Sequence, residues 1–200
     1  MRHHLYIISD DIHCELVRAG QKHTFISSLS EESEEEIYYL YIAIESIQSG
    51  GNPCGKLFYI RRRVAWKIYG DCRKSHAAES NAFVEAALRG AYDESEEWLL
   101  ALNDYLDQNI DYFVSYIEKE ISGIKVRRPE GTYLVWADCR KLGIKEERVR
   151  EFLLDTCKIA VNDGEFFGKE GRGFVRFNLA CPLSQIKGAL ENLKKGIETL

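Results

Sequence analysis

The stretch I-I-S-D-D-I-H-C-E-L, residues Ile7 to Leu16, sets the reading of the chain. The apolar run Leu5, Tyr6, Ile7, Ile8 stops at two carboxylates, Asp10 and Asp11, and His13 follows three positions after the first. An apolar run of that length ending in acids predicts a buried strand with charge at its carboxyl end. Open α/β sheets bind their ligands at that end. An acid buried there is costly to ionise unless a cation faces it, so Asp10 is expected to have a cationic partner. The same residues also read as a strand end with a solvated Asp-Asp turn and a surface His13, and both readings stand on this stretch alone.

Three later strings bear on that choice. They are P-E-G-T-Y-L-V-W (Pro129 to Trp136), N-D-G-E-F-F-G (Asn162 to Gly168) and G-F-V-R-F-N-L-A-C-P (Gly173 to Pro182). In this order, and following the Asp10 stretch, they resemble the pyridoxal phosphate (PLP) dependent C–S lyases. That family is the cystathionine β-lyase type within the class I/II aminotransferases. The resemblance covers residues 1–36 and 75–200. It implies an α/β fold, the C-terminal part of a PLP-dependent transferase of fold type I. The expected content is the end of a large cofactor domain over residues 1–90 and a small α+β domain over 91–200.

The resemblance also implies roles. Asp10 would pair with the pyridinium nitrogen of PLP and keep the ring electron-withdrawing. His13 would approach the ring's phenolic oxygen, or else be a core histidine bonded to backbone. Arg176 lies in an apolar strand, F-V-R-F-N-L, where a guanidinium needs a partner. Its planar fork suits the α-carboxylate of an amino-acid substrate, and a structural ion pair is the competing reading. Asn162 and Gly164 would shape a loop beside cofactor and substrate, although N-D-G is also an ordinary turn. Tyr133 and Trp136 read as core. Family members are homodimers, and an isologous dimer is the expected partner arrangement.

Composition narrows the remaining classes. The net charge of -5 leaves no basic footprint for nucleic acid. No apolar run approaches the roughly eighteen residues of a membrane span, and the N-terminus lacks a signal peptide's apolar region. The six cysteines are scattered without C-x-x-C spacing. This argues against a zinc site or a disulfide framework and for reduced thiols in the cytoplasm. The onset of a buried strand so close to Met1 suggests a piece of a longer enzyme.

Helical spacing of Leu99, Leu102, Leu106, Phe113 and Ile117 predicts one long amphipathic helix over residues 79–120. Strands are expected at 124–128, 132–137 and 173–180, and helices at 145–158 and from Leu183 to Leu200. The acidic run 30–36 reads as a solvated loop or helix start.

Residues 37–74 break the pattern, with neither alternation nor a helical stripe. The resemblance calls here for an S-x-x-K motif, whose lysine carries the Schiff base, in a form like S-K-x-F-N-L-A-G. Residues 37–74 hold no such string. Yet a permitted back-translation of Ile42 to Lys56, shifted by one base, reads S-P-S-K-A-F-N-L-A-G-I-H-A-G. The lysine would straddle the codons of Glu45 and Ser46. The same shift turns Trp66 to Lys74 into G-R-F-M-E-I-V-E, an ordinary helical string. A frame error entering near residue 37 and corrected near residue 74 accounts for the segment. Lys56 and Lys67 are the nearest lysines, and neither has the motif around it. The segment is therefore expected to be irregular, and the chain to lack its Schiff-base lysine and to be inactive. The alternatives are an aminotransferase or a non-catalytic interaction module.

Overall fold

The β-branched and aromatic runs near the N-terminus form strands. The computed structural model describes residues 7–29, 37–41, 56–59 and 83–200, divided between two units, Met1–Leu100 and Ala101–Leu200. In the first unit β1 (Ile7–Asp10) pairs in parallel with β2 (Ile37–Tyr41), and β2 pairs antiparallel with β3 (Lys56–Tyr59). The register sets Asp10 opposite Leu40 and Tyr41 opposite Lys56.

This corrects the expectation of irregular chain at two places. I-Y-Y-L-Y and K-L-F-Y are strands, because aromatic and branched residues suit a pleated surface even without alternation. The rest of the 37–74 segment, Lys67 included, lies outside the described residues, as do 30–36.

The long helix expected over 79–120 is two helices, α1 (Phe83–Glu94) and α2 (Glu96–Glu120). The break falls at Ser95, whose hydroxyl donates to the Gly90 carbonyl at 2.8 Å. A serine that bonds backward competes with the helix's own ladder, and here it separates the two segments. Glu96 and Glu97 then open α2 with favourable charge at its N-terminus.

In the second unit a four-stranded sheet runs β4 (Lys125–Val126), β5 (Leu134–Asp138), β7 (Phe174–Asn178), β6 (Asn162–Asp163), every pair antiparallel. The expected strands and helices are present but shorter, with α3 at Val149–Asp155 and α4 at Leu183–Ile197. The two-residue strand β6 was not foreseen, because two residues carry no period.

One face of the sheet is covered. Val135 and Ala137 of β5 and Val175 and Phe177 of β7 are buried with Leu106, Ile110, Phe113 and Ile117 of α2. Leu153 of α3 and Ile186, Leu190 and Leu193 of α4 complete this core. The spacing of four, three and four along α2 keeps its apolar residues on one stripe. Phe113 and Phe177 pack with ring centroids 5.0 Å apart. Each such side chain contributes about 1.5–3 kcal/mol by leaving water.

Trp136 is not core. It alternates with Val135 and Ala137, so the pleat sends it to the opposite face, where it is 39% exposed.

Candidate functional site

The carboxyl end of β1 carries the first group of candidates. Asp10 is exposed, and its Oδ1 accepts the Ile12 amide at 3.4 Å. The expectation that burial would force a cation onto Asp10 is therefore corrected: its carboxylate is wet. The buried acid is its neighbour Asp11, 7% exposed. Asp11 accepts the Ser9 hydroxyl at 2.8 Å and meets His23 Nε2 at 2.9 Å. Asp11, one residue past the end of β1, is buried like Ser9, to which it is bonded, while Asp10 between them is exposed. His23 in turn sits edge-on to Phe25, centroids 4.6 Å apart.

His13 is half-buried in the turn after Asp10, with backbone bonds from Cys14 to Asp11 and from Leu16 to His13 closing that turn. His23 and the buried Arg18 are polar groups the sequence reading passed over, and Asp11 was read there only as the neighbour of Asp10. Only their tertiary burial distinguishes them.

The second group lies on the open face of the second unit's sheet. Register places Trp136 opposite Arg176 on β5 and β7, and Asn162 opposite Arg176 on β6 and β7. Three residues far apart in sequence thus form one row across three strands. Asn162 Oδ1 accepts from Arg176 Nε at 3.4 Å and from Nη2 at 3.1 Å. The guanidinium carbon lies 4.7 Å from the Phe167 ring centroid, and Phe167 meets Trp136 edge-on at 5.6 Å.

Trp136 stacks at 5.8 Å on Phe174, over which Arg140 lies at 4.7 Å. This part of the face opens onto a groove of about 850 Å³ bounded by Trp136, Phe174 and Arg140.

The two arginines on this face differ. Arg140 forms a two-point pair with Asp138, at 2.9 and 2.8 Å. That hydrogen bond is the main cause holding the Asp138 carboxyl below its usual range. Arg128, Arg148 and Arg172 also pair with carboxylates. Arg176 has a neutral amide and an aromatic ring for partners, and among the described residues no carboxylate pairs with it. The competing reading of Arg176 as a structural ion pair finds no acid there.

The loop between β6 and β7 presents Phe167. Asp163 Oδ1 accepts the Glu165 amide at 3.0 Å, which starts the turn. Gly164 and Gly171 pass so closely that a Cβ on either would strike the other's backbone oxygen. On the far side of the sheet, Asn109 of α2 donates to the carbonyls of Leu179 at 3.0 Å and Cys181 at 2.9 Å. Tyr105 Oη accepts the Leu183 amide at 2.9 Å, so α2 fixes the chain where it leaves β7.

Cys14, Cys139, Cys157 and Cys181 are free thiols. Burial pushes the Cys139 thiol up to about 12. Among the described residues there is no cluster of metal-ligating side chains and no helix long and apolar enough to cross a membrane.

These observations define the class. The chain belongs to the aminotransferase class I and II family, whose pattern matches residues 71–193. The family is PLP-dependent, and the solved structures similar to this chain have the PLP-dependent fold of type I.

The particular relatives are more specific. The chain is 24% identical over 197 residues to cystathionine beta-lyase PatB of Bacillus subtilis, covering 98% of this chain and 51% of that protein. It is 29% identical over 203 residues to protein MalY of Escherichia coli, covering 100% and 50%. A PLP-bound putative aminotransferase from Clostridium difficile superposes with a TM-score of 0.91 at 32% identity, covering 98% of this chain and 51% of that one. Cystalysin from Treponema denticola, which contains PLP, gives 0.86 at 26% identity, covering 98% and 50%. The chain spans about half the length of the curated relatives it matches.

The described residues fit parts of such a cofactor's surroundings. Asp10 offers a wet carboxylate at the carboxyl end of a parallel strand, the chemistry a protonated ring nitrogen needs. His13 stands half-buried in the following turn.

Proposed function

We propose that this protein is a PLP-dependent carbon–sulfur β-lyase by lineage, acting on cystathionine or related cysteine S-conjugates in the cytoplasm as a homodimer. The observation that carries the substrate reading is Arg176. It is a guanidinium on an open sheet face with no carboxylate partner among the described residues, its side edge held by Asn162. Such a fork recognises the α-carboxylate of an amino acid bidentately.

PLP supplies an electron sink for the carbon from which the α-proton is lost. Asp10 would hold the ring nitrogen protonated and His13 would donate toward the ring oxygen. Phe167 and Trp136 would exclude water from one side of the carboxylate pair. The choice of elimination over transamination rests on relatives named cystathionine beta-lyase and C–S lyase. A transaminase remains the coarser family alternative, and release of thiol from cystathionine separates the two.

We further propose that the chain as given does not anchor the cofactor covalently and is inactive. The lysine motif is missing from residues 37–74 as written and is compatible with a one-base shift of a permitted back-translation of Ile42 to Lys56. Resequencing the DNA for residues 30–80 tests this directly. On the protein, borohydride reduction after incubation with PLP, followed by peptide mass mapping, is expected to leave Lys56 and Lys67 unlabelled. A pyridoxyl group fixed to either lysine would refute the loss. A restored lysine frame, with thiol release by the corrected protein, would uphold the lyase reading.

A further inference from the structure

We infer that Asn162 and Phe167 are positioning residues that leave Arg176 only its Nη1–Nη2 end to offer, so that a carboxylate is taken end-on. This rests on the reading of Arg176 as the carboxylate fork.

A guanidinium carries five N–H donors and presents two bidentate edges, a side edge of Nε with Nη2 and an end formed by the two Nη atoms. Asn162 Oδ1 accepts from both members of the side edge, Nε at 3.4 Å and Nη2 at 3.1 Å. A carboxylate arriving side-on would have to displace that amide. Both Nη1 hydrogens and the second Nη2 hydrogen are left; one hydrogen from each Nη forms the end, and the other Nη1 hydrogen points back along the side chain.

Phe167 settles the remaining freedom. Its ring covers one face of the guanidinium at 4.7 Å, so rotation about the last side-chain torsions is limited. A ring on that face also removes water and strengthens what the free end can bind. Phe167 itself is set by Trp136 edge-on at 5.6 Å and by Phe166 at 5.4 Å. The Asp163 cap and the Gly164–Gly171 approach fix the loop that carries it.

Asn162 is a neutral acceptor, which matters chemically. An acid at this position would hold Arg176 equally well and cancel the charge the substrate needs. The amide orients the fork and leaves its charge unspent.

The test uses the full chain with ¹⁵N-labelled arginine, with Arg176 resonances assigned by Arg176→Lys. Sodium acetate is the probe and sodium chloride at equal ionic strength the control. Acetate is expected to move the Arg176 Nη signals and leave Nε in place. Asn162→Ala is expected to speed Nε–H exchange about tenfold and to let acetate move Nε as well. Asn162→Asp is expected to restore slow Nε–H exchange while abolishing the acetate response. Phe167→Leu is expected to remove the ring-current displacement of Arg176 and weaken the acetate response, with both restored in Phe167→Tyr. If acetate moves Nε and Nη equally in the parent chain, or if Nε–H exchange is unchanged in Asn162→Ala, the positioning proposal fails alone. If acetate moves neither nitrogen in any variant, the carboxylate reading of Arg176 fails, and the positioning proposal with it.

Discussion

Replacing Asn109 by leucine tests how α2 holds the exit of β7. Asn109 is fully buried and donates both amide hydrogens, to Leu179 O at 3.0 Å and Cys181 O at 2.9 Å. Its own Oδ1 has no hydrogen-bond partner among the described residues. Leucine removes both bonds. Leu179 is buried, so its carbonyl stays dry and loses about 1–3 kcal/mol, while the half-buried Cys181 can reach water and loses about 1 kcal/mol. Against this, the orphaned Oδ1 disappears and apolar area is gained, which returns about 1 kcal/mol. The net expectation is a loss of about 2 kcal/mol, or about 10 °C in melting temperature for a unit of this size. Thermal melts of the full chain followed by near-ultraviolet circular dichroism measure it. Asn109→Asp should be worse at neutral pH, because an ionised carboxylate would face two carbonyl oxygens. Its folded pKa would be raised, so its deficit should grow as pH rises above the ordinary carboxylate value and shrink in acid, where the protonated form can donate one bond. An Asn109→Leu protein within about 0.5 kcal/mol of the parent would show that these bonds carry no net stability and that the loop is held by packing alone.

Gly164→Ala should displace the 162–173 loop, because the new methyl would meet backbone oxygens of Gly171 and Phe174 that no rotamer change can move; the expected loss is about 3 kcal/mol or more, read by urea denaturation, and an unchanged midpoint would contradict the close approach. Arg140→Gln should weaken the chain at neutral pH and less so in acid. Asp138 is held below its ordinary value of 3.8 first by its hydrogen bond to Arg140, so that stabilisation is present above 3.8 and is lost as pH falls through the lower folded value. Urea midpoints of the two proteins should therefore draw together below that pH, and a constant gap would assign the effect to the lost stacking on Phe174.

Much of the second unit was legible because its helices and strands carry long, consistent periods. The stripe from Leu106 to Ile117 and the alternation of β5 and β7 each repeat often enough to be read locally. The break at Ser95 was not, since one hydroxyl bonding to Gly90 decides it. The strands β2 and β3 were hidden because aromatic runs without alternation carry no period.

The sequence by itself determined the family, through four ordered motifs, and it named Asp10, His13, Asn162 and Arg176 as the residues to watch. Those choices depend on local strings, which survive without knowledge of the fold. It also determined that residues 37–74 hold no S-x-x-K string in the frame as written. Only tertiary structure decided which acid is buried: Asp11, just past β1, bonds Ser9 and His23, and Asp10 is left in water. It likewise decided that Trp136 leaves the core and joins Arg176 and Asn162 in one row. Strand register sets that row, and it is a long-range property, fixed by which faces of three separated segments must hide from water.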